Sequence, residues 1–131
     1  MPTTALYAAI LSLIFVALSL RTIRMRRRQK IAIGYADNDL MLRAMRVHAN
    51  FAEYVPLSLI LIYLVEISGR STWLVHCLGL CLIVGRLLHA YGVSQPKEVF
   101  KFRITGMVLT LTTILACSAT LLQLYIRKSF L

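Results

Sequence analysis

Residues 1–30 read MPTTALYAAILSLIFVALSL followed by RTIRMRRRQK: twenty positions without a charge, then ten that carry six basic side chains. One helical crossing of a bilayer needs about 20 apolar residues, and the first block supplies them. A basic cluster directly behind such a run marks a cytoplasmic flank, held further by attraction to anionic headgroups. The basic residues follow the apolar run instead of preceding it, so the segment reads as an uncleaved anchor and not as a secretory signal.

The rest of the chain agrees with a membrane reading. Its 131 residues are 59% hydrophobic and only 15% charged, against about 45–50% and about 25% in soluble domains. Mean hydropathy is +0.74. A water-soluble globule this small cannot hide that much apolar surface. Soluble enzymes and disordered chains are excluded, and the length allows one domain, 1–131. The net charge of +10 is concentrated behind the first run and not spread over a surface, so no nucleic-acid partner is expected. Cys77, Cys81 and Cys117 lie inside apolar runs and offer no disulfide framework.

Residues 104–126 form a second long uncharged run. Two shorter ones, 54–65 and 71–85, become spans if their charged ends face protein or water. The expectation is an all-α, four-helix, up-down integral membrane bundle, with helices over about 3–28, 39–68, 71–92 and 99–127. Residues 34–39 read as a turn with capping side chains and 68–71 as a tight turn, and the stretch Gly92-Val93-Ser94-Gln95-Pro96 is expected to break the third helix. Twelve basic residues fall on the side of loops one and three and three on the other, which puts both termini outside and those loops in the cytoplasm. Trp73, Tyr63 and Tyr125 fall near the outer boundary, and Tyr35, Tyr54 and Tyr91 near the inner one, as an aromatic belt would.

Chemistry concentrates in the second helix, in Arg43-Ala-Met-Arg46-Val-His48-Ala-Asn50-Phe-Ala-Glu53-Tyr54-Val-Pro56. At about 100° per residue, Arg46, Asn50 and Glu53 fall within roughly 60° of one another, with Arg43 to one side. Pro56 cannot donate to the carbonyl of Ala52, so one acceptor is freed. Such a stripe can be an interhelical packing network. It also suits a zwitterionic, peptide-like ligand, with arginine clamping carboxylates and Glu53 taking an ammonium or amide.

These residues carry a resemblance. Arg46-x-x-x-Asn50-x-x-Glu53-Tyr54-x-Pro56 resembles the second-helix signature of the MAPEG family, the membrane-associated proteins of eicosanoid and glutathione metabolism. The likeness extends over the chain and is closest to the short bacterial branch, through Arg46-Val-His48-Ala-Asn50, Trp73-Leu-Val-His76 and Gly85-Arg86-Leu-Leu-His89-Ala-Tyr91-Gly92. It implies a homotrimer in a bacterial inner membrane, with glutathione as co-substrate at the subunit interface in a pocket open to the cytoplasm. Arg46, Asn50, Glu53 and Tyr54 would bind the tripeptide, Arg26 would reach one of its carboxylates, and Arg103 would face its thiol. The synthase branch has glutamine in place of His48, and its third-helix tyrosines are replaced here by His89, Tyr91 and Val93. A thiol or acidic lipid-like ligand fits these departures too.

The implied activity is transfer or peroxidase chemistry on a lipophilic second substrate. A thiol of pKa about 8.5 needs roughly 2.7 kcal/mol of preferential anion stabilisation to fall by about 2 units. One guanidinium in a partly desolvated pocket supplies that. Two rivals stand beside it: a non-catalytic protein that binds a lipophilic ligand, and a proton-coupled exporter. The exporter is disfavoured because Glu53 reads as lying near the cytoplasmic end of its helix, beside Arg46.

Other polar residues read more plainly. His76, Cys77 and Cys81 share no ligand geometry and no carboxylate, so packing is expected and no metal. His89 lies beside the pocket and joins the candidate glutathione ligands, or caps a polar helix end. Arg86 is expected to snorkel or to pair with a carboxylate. The orientation is testable: alkaline phosphatase fused after Leu131 should be active, and the same reporter fused after Gln95 should not. The reverse pattern would overturn the assignment.

Overall fold

The computed structural model describes residues 1–130, as four α-helices: α1 Thr3–Gln29, α2 Asp39–Ile67, α3 Thr72–Ser94 and α4 Phe100–Phe130. All four are long and apolar enough to cross a membrane. No strand occurs among the described residues. Consecutive helices run antiparallel through short connections, which gives the up-down order. α2 and α3 pack on each other in the middle. α1 lies against both on one flank and α4 against both on the other, and α1 does not meet α4 among the described residues.

The caps explain where the helices begin. Asn38 Oδ1 accepts from the Met41 N–H at 2.9 Å, and Ser71 Oγ accepts from the Leu74 N–H at 3.3 Å. α1 starts behind Pro2 and has no capping side chain of its own. Its first N–H groups are satisfied from across the bundle: the Glu66 carboxylate near the end of α2 accepts from Thr3 N–H and, at 2.9 Å, from Thr4 N–H. A carboxylate there also faces the positive end of the α1 dipole. Glu66 is therefore a clamp between the first two helices.

A single apolar cluster lies between the helices, with Leu11, Phe51, Ile62, Val75, Leu82 and Cys117 among its buried members. Leu13, Ile60, Leu80, Leu115 and Leu122 point outward and are exposed. Apolar side chains on both the inner and outer faces are what a bundle solvated by lipid requires.

The third helix runs past its expected end. It stops at Ser94, inside the Gly92–Pro96 stretch expected to break it, with Pro96 beyond. The role of Gly92 is proximity. A Cβ there would lie 2.7 Å from the Arg103 backbone nitrogen and 3.0 Å from the Val99 carbonyl. The Val99 N–H donates to the Gly92 carbonyl at 3.1 Å, which fixes the entry into α4. Deeper along the same seam, a Cβ on Gly106 would lie 2.5 Å from the Gly85 carbonyl oxygen and 2.5 Å from the His89 nitrogen. The two backbones are in direct contact there, as small residues allow in membrane helix pairs.

Two outcomes follow from this packing. Gly106→Ala should lower unfolding stability in detergent by about 1–3 kcal/mol or prevent assembly, because backbone has to yield. Glu66→Ala should cost about 0.5–2 kcal/mol and expose the start of α1 to proteolysis. Thermal unfolding with limited proteolysis checks both, and a wild-type profile for either variant contradicts the contact assigned to it.

Candidate functional site

At the end of the bundle where α2 begins and α3 ends, a cavity of about 300 Å³ opens between α2, α3 and the start of α4. Its lining is polar at nearly every position: Asp39, Arg43, Arg46 and Asn50 from α2, His89 from α3, and Glu98 and Arg103 from the α3–α4 turn and α4. Leu42 and Val93 complete the wall. The volume stands at the lower end of the range for ligand pockets, about 300–1,000 Å³.

Helical spacing explains the α2 contribution. Arg43, Arg46 and Asn50 recur at intervals of three and four and so share one face. Arg103 enters from the first turn of α4, where Gly92 lets that turn approach α3. Its guanidinium pairs with the Glu98 carboxylate at 2.8 Å; the Arg103 side chain is 47% exposed and that of Glu98 15%. This is the only ion pair among the described residues. His89 is buried, and its Nδ1 has no hydrogen-bond partner.

Of the residues singled out from sequence, Arg46, Asn50, His89 and Arg103 meet in this cavity. Arg26, Glu53 and Tyr54 do not line it. Arg26 donates to the Gly34 carbonyl at 3.0 Å and the Ala32 carbonyl at 3.4 Å, and so ties down the first loop. Glu53 is exposed on the outside of α2, midway between its ends at Asp39 and Ile67. The sequence reading set it near the cytoplasmic end of a helix expected over about 39–68; α2 keeps those bounds to within one residue, and position 53 falls at its middle. Tyr54 is half-buried, with its ring 5.8 Å from the Arg86 guanidinium carbon.

Arg86 departs furthest from expectation. It neither snorkels nor meets a carboxylate. It is 1% exposed, and its guanidinium donates to Asn50 Oδ1 at 2.6 Å and to Thr110 Oγ1 at 3.2 Å. The Thr110 hydroxyl in turn donates to the Gly106 carbonyl at 2.8 Å. The signal was present in the sequence: Arg86 is the only Lys, Arg, Asp or Glu in α3, and an isolated charge within a span is a functional flag by default. Asp39, Arg43 and Glu98 are further lining residues outside the predicted set.

A second concavity, of about 280 Å³, lies on the opposite side of α2 against α1 and is almost wholly apolar. Phe15, Phe51, Val55 and Leu59 line it, together with Ala52 and Pro56, the pair in which proline leaves a carbonyl without its helical donor. His48 stacks on Phe15 at 4.8 Å, and its Nε2 shares a hydrogen bond with Ser19 Oγ at 2.9 Å, so it serves the α1–α2 contact. His76 likewise bonds the Tyr7 hydroxyl through Nδ1 at 2.7 Å.

Comparison with known proteins bears on this arrangement directly. The MAPEG family profile matches residues 4–123, which takes in all four helices. The chain belongs to the MAPEG family. It is 35% identical to the inner membrane protein YecN of Escherichia coli K12 over 107 residues, covering 82% of this chain and 80% of that protein. YecN of Escherichia coli O6:H1 matches to the same extent. In this MAPEG chain, then, the family's second-helix signature is divided: Arg46 and Asn50 face a polar cavity, Tyr54 packs behind it, and Glu53 faces outward.

The Arg103–Glu98 pair holds the cavity mouth more than it holds the fold. Exposed pairs contribute at most about 1 kcal/mol. Glu98→Gln should therefore leave the unfolding transition within about 1 kcal/mol of wild type, as read by thermal denaturation in detergent. A larger loss would make the pair a structural element.

Proposed function

We propose that this MAPEG protein is a glutathione-dependent transferase or peroxidase of a bacterial inner membrane, acting on hydrophobic electrophiles. The observation that carries the reading is the convergence of Arg43, Arg46, Asn50 and Arg103 with two carboxylates in one small polar cavity. Glutathione has two carboxylates, one ammonium and a thiol. Arg43 and Arg46 suit its carboxylates, since the guanidinium fork binds them bidentately. Asp39 and Glu98 offer sites for the ammonium, the role the stripe reading gave to Glu53. Arg103 stands at the mouth, where a thiolate could shift its guanidinium from Glu98 toward the sulfur. The anionic sulfur then bonds to a carbon of the second substrate as a leaving group departs with its electron pair, or to a peroxide oxygen as the O–O bond breaks and the alcohol leaves; in the peroxide case a second glutathione reduces the sulfenic acid to the disulfide and water, and neither route needs a covalent enzyme intermediate.

In this reading the protein works as a homotrimer. A carboxylate exposed midway along a spanning helix is costly against lipid, and Glu53 is in that position. A neighbouring subunit would cover it and bring it, and the outer side of Tyr54, to an interfacial ligand. Both termini would lie in the periplasm and the cavity would open to the cytoplasm, where Arg26 and the basic first loop lie close to it.

The apolar groove against α1 favours a second reading, a binding protein for a lipophilic ligand without catalysis. The exporter loses one argument against it now that Glu53 is at mid-helix, yet it remains the weakest reading, because the charged residues gather in a cavity at one end of the bundle.

Conjugation of a chromogenic electrophile with glutathione, followed in detergent, tests the proposal. Arg103→Ala should lower kcat by about 10²-fold with little change in KM and remove thiolate absorbance near ~240 nm, as expected when a group stabilises only the reacting anion. Unchanged turnover in that variant removes the mechanism. Glutathione binding without thiolate formation favours the carrier, and absence of any binding removes the reading.

A further inference from the structure

Arg86 lies behind the cavity and does not line it. Its guanidinium has only hydrogen-bond donors and no acceptor, so the atom of Asn50 that faces it must be the carbonyl oxygen. The 2.6 Å contact from Arg86 to Asn50 Oδ1 is of that kind. Because an amide is planar, turning Oδ1 toward Arg86 turns Nδ2 away from it. Asn50 is also a lining residue of the cavity, and its Nδ2 has no acceptor among the described residues. Thr110 on α4 and the Tyr54 ring hold the guanidinium from the other sides, so it cannot swing out of reach.

We propose that Arg86 is a positioning and specificity residue: it locks the Asn50 amide with its two N–H donors toward the cavity, so that the floor accepts a carboxylate or carbonyl oxygen and rejects a donor. Charge reinforces the geometry. Arg86 is fully buried and has no carboxylate partner among the described residues. A buried cation without a counter-ion is strongly disfavoured, and an anion beyond Asn50 relieves it. Three arginines in the lining against two acids leave the cavity positive even before Arg86 is counted. The preferred ligand chemistry is thus an oxyanion seated at Asn50, with any cationic group directed outward to Asp39 or Glu98.

The inference deepens the glutathione reading but can be separated from it. Binding to the detergent-solubilised protein is measured by calorimetry with two probes, glutathione and glutarate, a dicarboxylate with no thiol and no ammonium. Arg86→Met should weaken both by at least about tenfold, whereas Arg86→Lys, which keeps a donor-only cation, should recover most of the affinity. Asn50→Asp is the decisive variant. It forms an ion pair with Arg86, so thermal stability should equal or exceed wild type, while an oxygen replaces the inward donor and affinity for both probes should fall at least about tenfold. A purely structural Asn50–Arg86 contact would leave Asn50→Asp binding as wild type does, and that result overturns the proposal. Glutarate binding with no glutathione binding defeats the glutathione reading and leaves this one standing. Binding of neither probe by the wild type defeats both.

Discussion

The guanidinium of Arg86 is the point on which the cavity half of the molecule is organised. It stands on α3, bonds Asn50 on α2 and Thr110 on α4, and lies 5.8 Å from the Tyr54 ring. Three of the four helices are therefore oriented by one cation. Burying it is tolerable because neutral acceptors replace part of its hydration and because the Gly85–Gly106 contact brings α4 close enough for Thr110 to reach it. The polar cavity begins on the far side of Asn50. Packing and candidate chemistry are thus joined through one amide, a sharper coupling than the apolar core could provide.

Electrostatics differ between the two ends of the bundle. At the cavity end the charges gather into an open, polar hollow whose one ion pair is half-exposed. At the other end Glu66 is absorbed into structure, satisfied by the first N–H groups of α1. The same residue type therefore holds a helix terminus in one place and, as Glu98, stays available to exchange partners in another. Both are half-buried, and the number of donors each one meets differs.

Much of this architecture was legible in the sequence. Uncharged runs located four helices, and the turn chemistry of Asn38 and Ser71 located two of the starts. The three- and four-residue spacing of Arg43, Arg46 and Asn50 anticipated a shared polar face, and the cavity uses it. The Gly92–Pro96 stretch marked the end of α3, but the close approach of α4 at Gly92 depends on where α4 lies and could not be read from spacing. Glu53 misled because periodicity places a side chain around an axis but not against neighbours; Arg86, arriving from α3, closes the stripe at Asn50 and leaves Glu53 outside. The Glu98–Arg103 pair depends on a turn conformation that spacing alone does not encode.

The absence of contact between α1 and α4 bears on how such a chain matures. Each helix emerging from the ribosome finds a partner already in the membrane, α2 on α1 and α3 on both. The fourth is the last to be added. The hollow has no closing wall until then, since Glu98 and Arg103 arrive last and the arginine on α3 lacks its threonine. A bundle of the first three helices would hold that cation through Asn50 alone, and α4 supplies both the missing wall and the second bond.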